Sequence, residues 1–341
     1  HRDHPRRLAP SSNGIDRLAI VVVTYKRREM LQDLFASFAA LTCAPGASSS
    51  LTTRIPLPPN ALCAHSTSRH VSSGASRKRM LKDRLIALSM PPQTENIGGA
   101  GGFSAGTARA FALGAEWFWL MDDDVTVLPD AIEKLARWTD RFDVIQGSRL
   151  DFDGGPFYWQ YQFITTLGIP NPVAKWDFDE RGYKPMNQLC FEGGLFSRRV
   201  VEKIGLPDAR YFIYGDDAAY GYVASKHFDA AVVADVILKR ARAVSNWDIA
   251  GKRQLNSTSD FNRYYIMRNR GFTARYMKLF GDYHRLLFGF GTAATFAKEL
   301  IRLIAVDHTF KTGIPALVRG MRDARKIYRD RTWEPASALK A

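Results

Sequence analysis

Trp117-Phe118-Trp119-Leu120-Met121-Asp122-Asp123-Asp124 sets five large apolar residues directly against three acids. The apolar part shows no polar alternation, the pattern of a strand covered on both faces of a sheet, so the acids mark that strand's carboxyl end. Ligands of open α/β sheets bind at this edge. Carboxylates at i and i+2, here Asp122 and Asp124, lie near one another, and such hard oxygen ligands suit Mn²⁺ or Mg²⁺, ions that neutralise a diphosphate leaving group. The alternative is an exposed acidic turn whose aspartates cap a helix near Pro129-Asp130-Ala131.

Working outward, Leu18-Ala19-Ile20-Val21-Val22-Val23-Thr24-Tyr25 is a second unalternating run and reads as a central strand, with Lys26-Arg27-Arg28 at its exit. Met30, Leu31, Leu34, Phe35 and Phe38 then recur at helical spacing. Asn96 to Gly106 is predicted as a glycine-rich loop leading into a helix over Thr107 to Leu113. The glycines, Gly98, Gly99 and Gly102 among them, would let a diphosphate approach the backbone, and Asn96 opens the loop. The competing dinucleotide fingerprint fits poorly, because G-x-G-x-x-G is not cleanly present and no such turn follows the first strand. Alternating strands and helices predict an α/β fold with a mostly parallel sheet flanked by helices.

Residues 45–92 break this pattern. Ser, Pro, Arg and His dominate, no apolar period is visible, and a compact α/β domain rarely carries so long a structureless insertion. A strand ending in an acidic or amide residue is expected here. A shifted reading frame accounts for its absence. Pro45 to Arg54 written CCT-GGC-GCA-TCG-TCA-TCG-TTG-ACA-ACG-AGA, read from the third base and on into Ile55, gives Trp-Arg-Ile-Val-Ile-Val-Asp-Asn-Glu-Asn, an apolar strand with an acidic end. The alternative is that codon degeneracy supplies such a strand by chance. Resequencing decides: AGY serines or a CTN leucine there would exclude the shift. With it, Arg54, Arg69, Arg77, Lys78, Arg79, Lys82 and Arg84 are artefacts of the frame, set against Asp83 alone.

Tyr211-Phe212-Ile213-Tyr214-Gly215-Asp216-Asp217-Ala218-Ala219-Tyr220 reads as an aromatic strand followed by a second carboxylate pair. Asp217 or Asp216 can take a proton from an attacking hydroxyl, a contribution of roughly 10²–10⁴-fold in general-base catalysis, or can cap a helix over Ala218 to Phe228. Phe191-Glu192-Gly193-Gly194-Leu195-Phe196, ahead of a helix over Arg198 to Ile204, either shapes an acceptor pocket through Glu192, Gly193 and Gly194 or is a simple turn. Arg263-Tyr264-Tyr265-Ile266-Met267-Arg268-Asn269-Arg270 either grips a phosphorylated or sugar acceptor or forms a solvated basic helix.

With 341 residues, 46% of them hydrophobic, the chain can bury a full core, and a net charge of +14 suits an anionic partner. No nucleic-acid motif accompanies that charge, and nucleic acid is not an expected partner. Cys43, Cys63 and Cys190 have the spacing of neither a disulfide framework nor a zinc site. The chain opens on His1 and no secretory apolar segment precedes the first strand, so the expected location is cytoplasmic. Apolar stretches at 283–291 and 296–306 fall short of the roughly 18–20 residues of a spanning helix. With the basic run Arg319, Arg322, Arg325, Lys326, Arg329 and Arg331, they either lie on the inner face of the plasma membrane as a peripheral contact or form an ordinary helical bundle.

Together these motifs resemble glycosyltransferase family 2, the inverting transferases of the GT-A fold, over residues 17 to about 275. The resemblance implies a disordered segment over 1–16, a catalytic domain over 17–275 and a helical region over 276–341. It makes Asp122 and Asp124 the metal-binding D-x-D and Asp217, with Asp216 beside it, the catalytic base. Thr24, Tyr25, Asp122 and Asp123 become donor contacts. Asn96-Ile97-Gly98-Gly99-Ala100-Gly101-Gly102-Phe103 and Phe212-Ile213-Tyr214-Gly215-Asp216-Asp217 are similar to the galactofuranosyltransferase and rhamnosyltransferase branch. That branch implies a UDP-galactofuranose or dTDP-rhamnose donor, a lipid-linked glycan or polysaccharide acceptor, and a role in cell-surface glycans; a relative that has lost donor binding is the non-catalytic alternative. Two departures stand out: the base-contacting Asp of the second strand is missing, and Arg240 lies near the place of a metal-ligating His.

Overall fold

The computed structural model describes residues 15, 17–24, 28–41, 85–89, 96–157, 161–171, 175, 177–243, 246–249 and 253–336. Tyr25, the shifted-frame strand at 45–54, and residues 1–14 and 16 lie outside them. Ile15, placed in the predicted disordered segment, is buried in the core.

The chain begins with β1 (Leu18–Val23), α1 (Arg28–Ala39), β2 (Leu85–Ser89), α2 (Gly98–Ala112) and β3 (Trp117–Asp122). Next come β4 (Val125–Val127), α3 (Ala131–Ala136), β5 (Val144–Leu150) and β6 (Pro156–Phe157). A small hairpin of β7 (Phe163–Ile164) and β8 (Ile169–Pro170) precedes β9 (Tyr183–Pro185), β10 (Gly194–Ser197), α4 (Arg198–Ile204), α5 (Asp216–Ser225) and β11 (Ala230–Arg240). The main path of the sheet runs β2-β1-β3-β10-β5-β11-β4. Strands β2, β1, β3, β5 and β11 share one direction, whereas β10 and β4 oppose their neighbours. The α/β architecture with a mostly parallel sheet is therefore as expected.

Two layers of core explain the unalternating strands. Ile20, Val22, Trp119 and Met121 face Leu34 and Phe38 of α1 and Leu135 of α3. The alternate residues Ala19, Val21, Phe118 and Leu120 face Phe103 and Ala110 of α2, Val200 of α4 and Tyr220 of α5. Each strand residue thus leaves water whichever way its side chain points.

Three predicted elements differ. Leu85–Ser89, inside the stretch read as structureless, pairs parallel with β1 from Leu18↔Leu85 to Val22↔Ser89. Its five residues are too short for a period to stand out from a basic, Ser-rich background. The glycine-rich segment is not a loop: it forms the first turns of α2. A Cβ on Gly98 would stand 2.1 Å from the Phe212 carbonyl oxygen, and the same carbonyl accepts from Ala100 N–H at 3.1 Å. Glycine here serves close packing of a helix end against the 212–215 turn. That turn is the third difference. Tyr211 to Tyr214, read as a strand, is instead a 3₁₀ turn (Ala209–Tyr211) followed by bends, with Phe212 and Tyr214 both at φ 66°. Non-glycine residues in this region of backbone space carry strain of about 1–3 kcal/mol each and persist only where their surroundings fix them.

After a second hairpin, β12 (Asn246–Ile249) with β13 (Arg253–Asn256), the helical unit begins at Asp260 rather than near residue 276. It comprises α6 (Asp260–Arg268), α7 (Arg270–Leu279), α8 (Arg285–Arg302), a π-helical turn (Leu303–Asp307) and α9 (Phe310–Arg329). Phe272, Tyr276, Met277 and Phe288 of this unit join Ala100, Tyr211, Ala219 and Tyr222 in a third core cluster, which ties it to α2 and α5.

Candidate active site

The carboxyl end of β3 and the turn before β10 meet at one edge of the sheet, because β10 runs antiparallel to β3 with Gly194 opposite Leu120. Gly193 N–H donates to Leu120 O at 2.8 Å, and Trp119 Nε1 donates to Gly193 O at 3.1 Å. These bonds hold Glu192 beside the acidic strand end. Gly193, at φ +99°, makes the turn that redirects the chain into β10.

The three acids of the strand end differ in role. Asp123 is buried, and its carboxylate accepts from Thr24 Oγ1 at 2.5 Å, which pins the ends of β1 and β3 together. Asp122 and Asp124, either side of it, keep part of their surface open. Asp122's carboxyl is pushed well above the usual range, first by withdrawal from water and then by the charges of Glu192, Asp124, Asp123 and Asp217. Asp124 pairs with Arg242 at 3.2 Å, and its backbone carbonyl accepts from Ala241 N–H at 2.9 Å. Arg242, not Arg240, is the cation at the predicted ligand; Arg240 lies 3.9 Å from Asp151 and stacks over Phe157.

Asp216 and Asp217 form the first turn of α5, after Gly215 in the left-handed conformation, so neither is the cap residue itself. Asp217 accepts from Ala218 N–H at 2.7 Å, with the Phe191 N–H and the Cys190 thiol close enough to favour its charge. Burial raises its carboxyl, and those donors partly offset the rise. Asp216 is fully buried, and burial followed by the adjacent Asp217 charge pushes it up to about 8. Burial and the neighbouring carboxylate thus both favour the protonated form of Asp216 and disfavour a double charge on the pair.

Beside these carboxylates lies a layer that was not anticipated from sequence. The buried Arg149, at the end of β5, pairs with the Glu192 carboxylate and reaches Cys190 Sγ at 4.0 Å. Gln146 Oε1 accepts from Cys190 N–H at 3.1 Å while its amide donates to Glu192 O at 3.3 Å. Burial raises the Cys190 thiol and so keeps it protonated. A lone arginine and a lone cysteine carry no periodic signal, so only the fold could bring them together.

The remaining predicted residues are more scattered. Gly98 and Asn96 stand at the start of α2, where Gly98 N–H donates to Asn96 Oδ1 at 3.0 Å. No atom lies within 4 Å of a Cβ built on Gly99, whereas one on Gly102 would meet Val23 at 2.9 Å, so Gly102 packs on the sheet. Arg263 and Arg270 neither grip an acceptor nor face solvent. Arg263 is buried between Asp260 and Asp307, and Arg270 donates to Gly168 O at 2.8 Å and Thr292 Oγ1 at 2.7 Å.

Among the described residues no group of three or more His, Cys, Asp or Glu side chains forms a closed metal cage. The donor set nonetheless fits a hard divalent ion that keeps water and phosphate ligands, since such ions are commonly held by one or two protein carboxylates. Asp122 and Asp124 would supply these, and the crowding of negative charge around Asp122 is what a cation would relieve.

Residues 90–258 match the family model described as glycosyltransferase like family 2. The chain is similar to galactofuranosyltransferase GlfT1 of Mycolicibacterium smegmatis, 30% identical over 135 residues that cover 36% of this chain and 42% of the relative. It is also similar to galactofuranosyltransferase GlfT1 of Mycobacterium tuberculosis, 29% identical over 208 residues, 58% of this chain and 60% of the relative. The chain thus spans about half the length of these curated relatives. Among solved structures, that of S. aureus TarS 1-349 aligns over 92% of this chain and 82% of its own, with 11% identity and a TM-score of 0.48.

Proposed function

Starting from a family 2-like glycosyltransferase domain over residues 90–258, we propose that the chain transfers galactofuranose from UDP-galactofuranose, with inversion, to a lipid-linked or polysaccharide acceptor at the membrane's inner face. The observation that carries the proposal is the convergence of Asp122, Glu192 and Asp217, from three distant stretches of sequence, into one carboxylate cluster at the carboxyl edge of the sheet. Asp217 is the general base. The Ala218 N–H orients its carboxylate, and burial raises its basicity above that of an ordinary aspartate. Asp216 stays protonated beside it, so the pair avoids a double charge. Asp122 and Asp124 hold Mn²⁺ or Mg²⁺, which when bound supplies charge neutralisation for the departing diphosphate. Arg149 keeps Glu192 in place at the acceptor side, while Thr24 fixes Asp123 at the donor side.

The test is calorimetric binding of UDP and of dTDP with and without Mn²⁺, followed by transfer of labelled galactofuranose to a lipid-linked acceptor. Mn²⁺-dependent UDP binding and label transfer are expected. Binding of dTDP in place of UDP would move the donor to dTDP-rhamnose, and binding of neither would leave a transferase-like protein without catalysis.

A further inference from the structure

Helix α8 has two unlike faces. Its inner face is fixed to the catalytic domain: Phe288, Gly291 and Glu299 are buried, and Arg270 donates to Thr292 Oγ1 at 2.7 Å. A Cβ on Gly291 would stand 1.8 Å from Leu167 O, so the helix lies hard against the β7–β8 hairpin. The outward face carries Leu286, Phe290, Ala293, Ala294, Ala297, Ile301 and, just past the helix, Ile304, all exposed. At about 100° per residue these positions fall within an arc of roughly 100°, an unbroken apolar stripe facing away from the protein. Leu286 is 78% exposed, Phe290 68%, Ile301 51% and Ile304 51%. Phe310 and Ile314, on the first turns of α9, are exposed as well.

The charges around this stripe are of one sign. Arg285 and Lys298 flank it on opposite sides and Lys311 stands at its far end, all exposed. The only acids between residues 283 and 322 are Glu299, which is buried against Arg302, and Asp307, whose carboxylate is turned to Arg263. Farther along α9 the exposed residues become Arg319, Arg322, Arg325, Lys326 and Arg329. An apolar strip edged by cations, without exposed acids, matches the interface of an anionic bilayer, where acyl chains lie below and phosphate headgroups above. No helix among the described residues is long and apolar enough to cross a membrane, so the face lies on the surface.

The geometry points to the outer face of α8 and the start of α9 as a docking surface for anionic phospholipid. The stripe seats in the headgroup boundary, and the arginines of α9 engage lipid phosphates. This deepens the proposed transfer to a lipid-linked acceptor and rests on that reading for its purpose.

The test is co-sedimentation of the full chain with vesicles of equimolar phosphatidylglycerol and phosphatidylcholine, against vesicles of phosphatidylcholine alone. The chain is expected to partition onto the anionic vesicles and to be released by high salt. The Leu286→Glu/Phe290→Glu variant, and separately Ile301→Glu, are expected to lose about tenfold or more in partitioning with unchanged circular dichroism and unchanged Mn²⁺-dependent UDP binding. Equal sedimentation of both variants and the parent chain overturns the proposal. So does light scattering that shows a dimer broken by these substitutions, since a second copy would then cover the stripe. Loss of UDP binding by the parent chain with vesicle binding intact would remove the transfer reading and leave the docking surface standing.

Discussion

The two acidic clusters of the site reach the same sheet edge by opposite routes. Where β3 ends and the chain bends, exposure alternates along the three carboxylates, so that Asp123 turns inward to Thr24 while Asp122 and Asp124 stay partly open. At the start of α5 it is the first acid, Asp216, that is buried, and the second, Asp217, that stays partly open among N–H donors. At the strand end the charges of Glu192, Asp124, Asp123 and Asp217 crowd around Asp122. The helix start has carboxylates stabilised by backbone N–H groups and the helix dipole. In the proposed reaction the first arrangement would take a cation and the second would hold the base.

If that division is right, the largest effect comes from the helix pair. Asp217→Asn is expected to lower turnover by roughly 10²–10⁴-fold while leaving Mn²⁺-dependent UDP affinity unchanged, read by label transfer and calorimetry. Comparable loss of UDP affinity would show that the pair binds donor and would collapse the distinction. Asp122→Asn is expected to do the converse, weakening UDP binding by at least about tenfold in Mn²⁺ and little without it.

Asp216 gives a third handle, in stability and not in rate. Its folded value near 8 exceeds the ordinary carboxyl value of 3.8, so across that window the native state holds a proton that the unfolded chain releases. This contribution is fully present below the ordinary value and is lost as pH rises through 8. Asp216→Asn should therefore flatten the decline in Tm with pH and melt roughly 2–4 °C above the parent chain at alkaline pH, measured by thermal scans across pH 4–9. The smallest effect belongs to Arg242. Its side chain is 47% exposed, so Arg242→Gln should tighten Mn²⁺ binding by no more than about fivefold, and the gain should shrink in high salt.

What was legible in the sequence was whatever a single element encodes. Leu18–Val23 and Trp117–Asp122 announced themselves because a strand buried on both faces must be apolar at every position. Their acidic or hydroxyl ends followed from the same register. The glycine-rich segment misled because its glycines answer to a distant partner: Gly98 is small on account of Phe212, and nothing local states this. Tyr211–Tyr214 misled similarly. Aromatic runs favour strands, yet here Tyr211 belongs to a helical core cluster and Phe212 stacks on Tyr265, which bends the backbone out of strand geometry. Arg149, Gln146 and Cys190 were missed because their role arises only when β5 and β10 pair. Arg263 and Arg270 were legible as cations, but their partners, Asp307 and the Gly168 carbonyl, lie some forty and a hundred residues away.

Asn269, at the junction of α6 and α7, gathers the Tyr211, Ile213 and Tyr214 carbonyls through its side-chain amide, at 3.0, 2.7 and 2.8 Å. Those carbonyls belong to the turn that leads into Asp216 and Asp217. One amide therefore links helices α6 and α7, on which α9 packs, to the turn that leads into the proposed base, Asp217. Seating the proposed docking face on a surface would thus bear, through α6 and α7, on the aim of the proposed base.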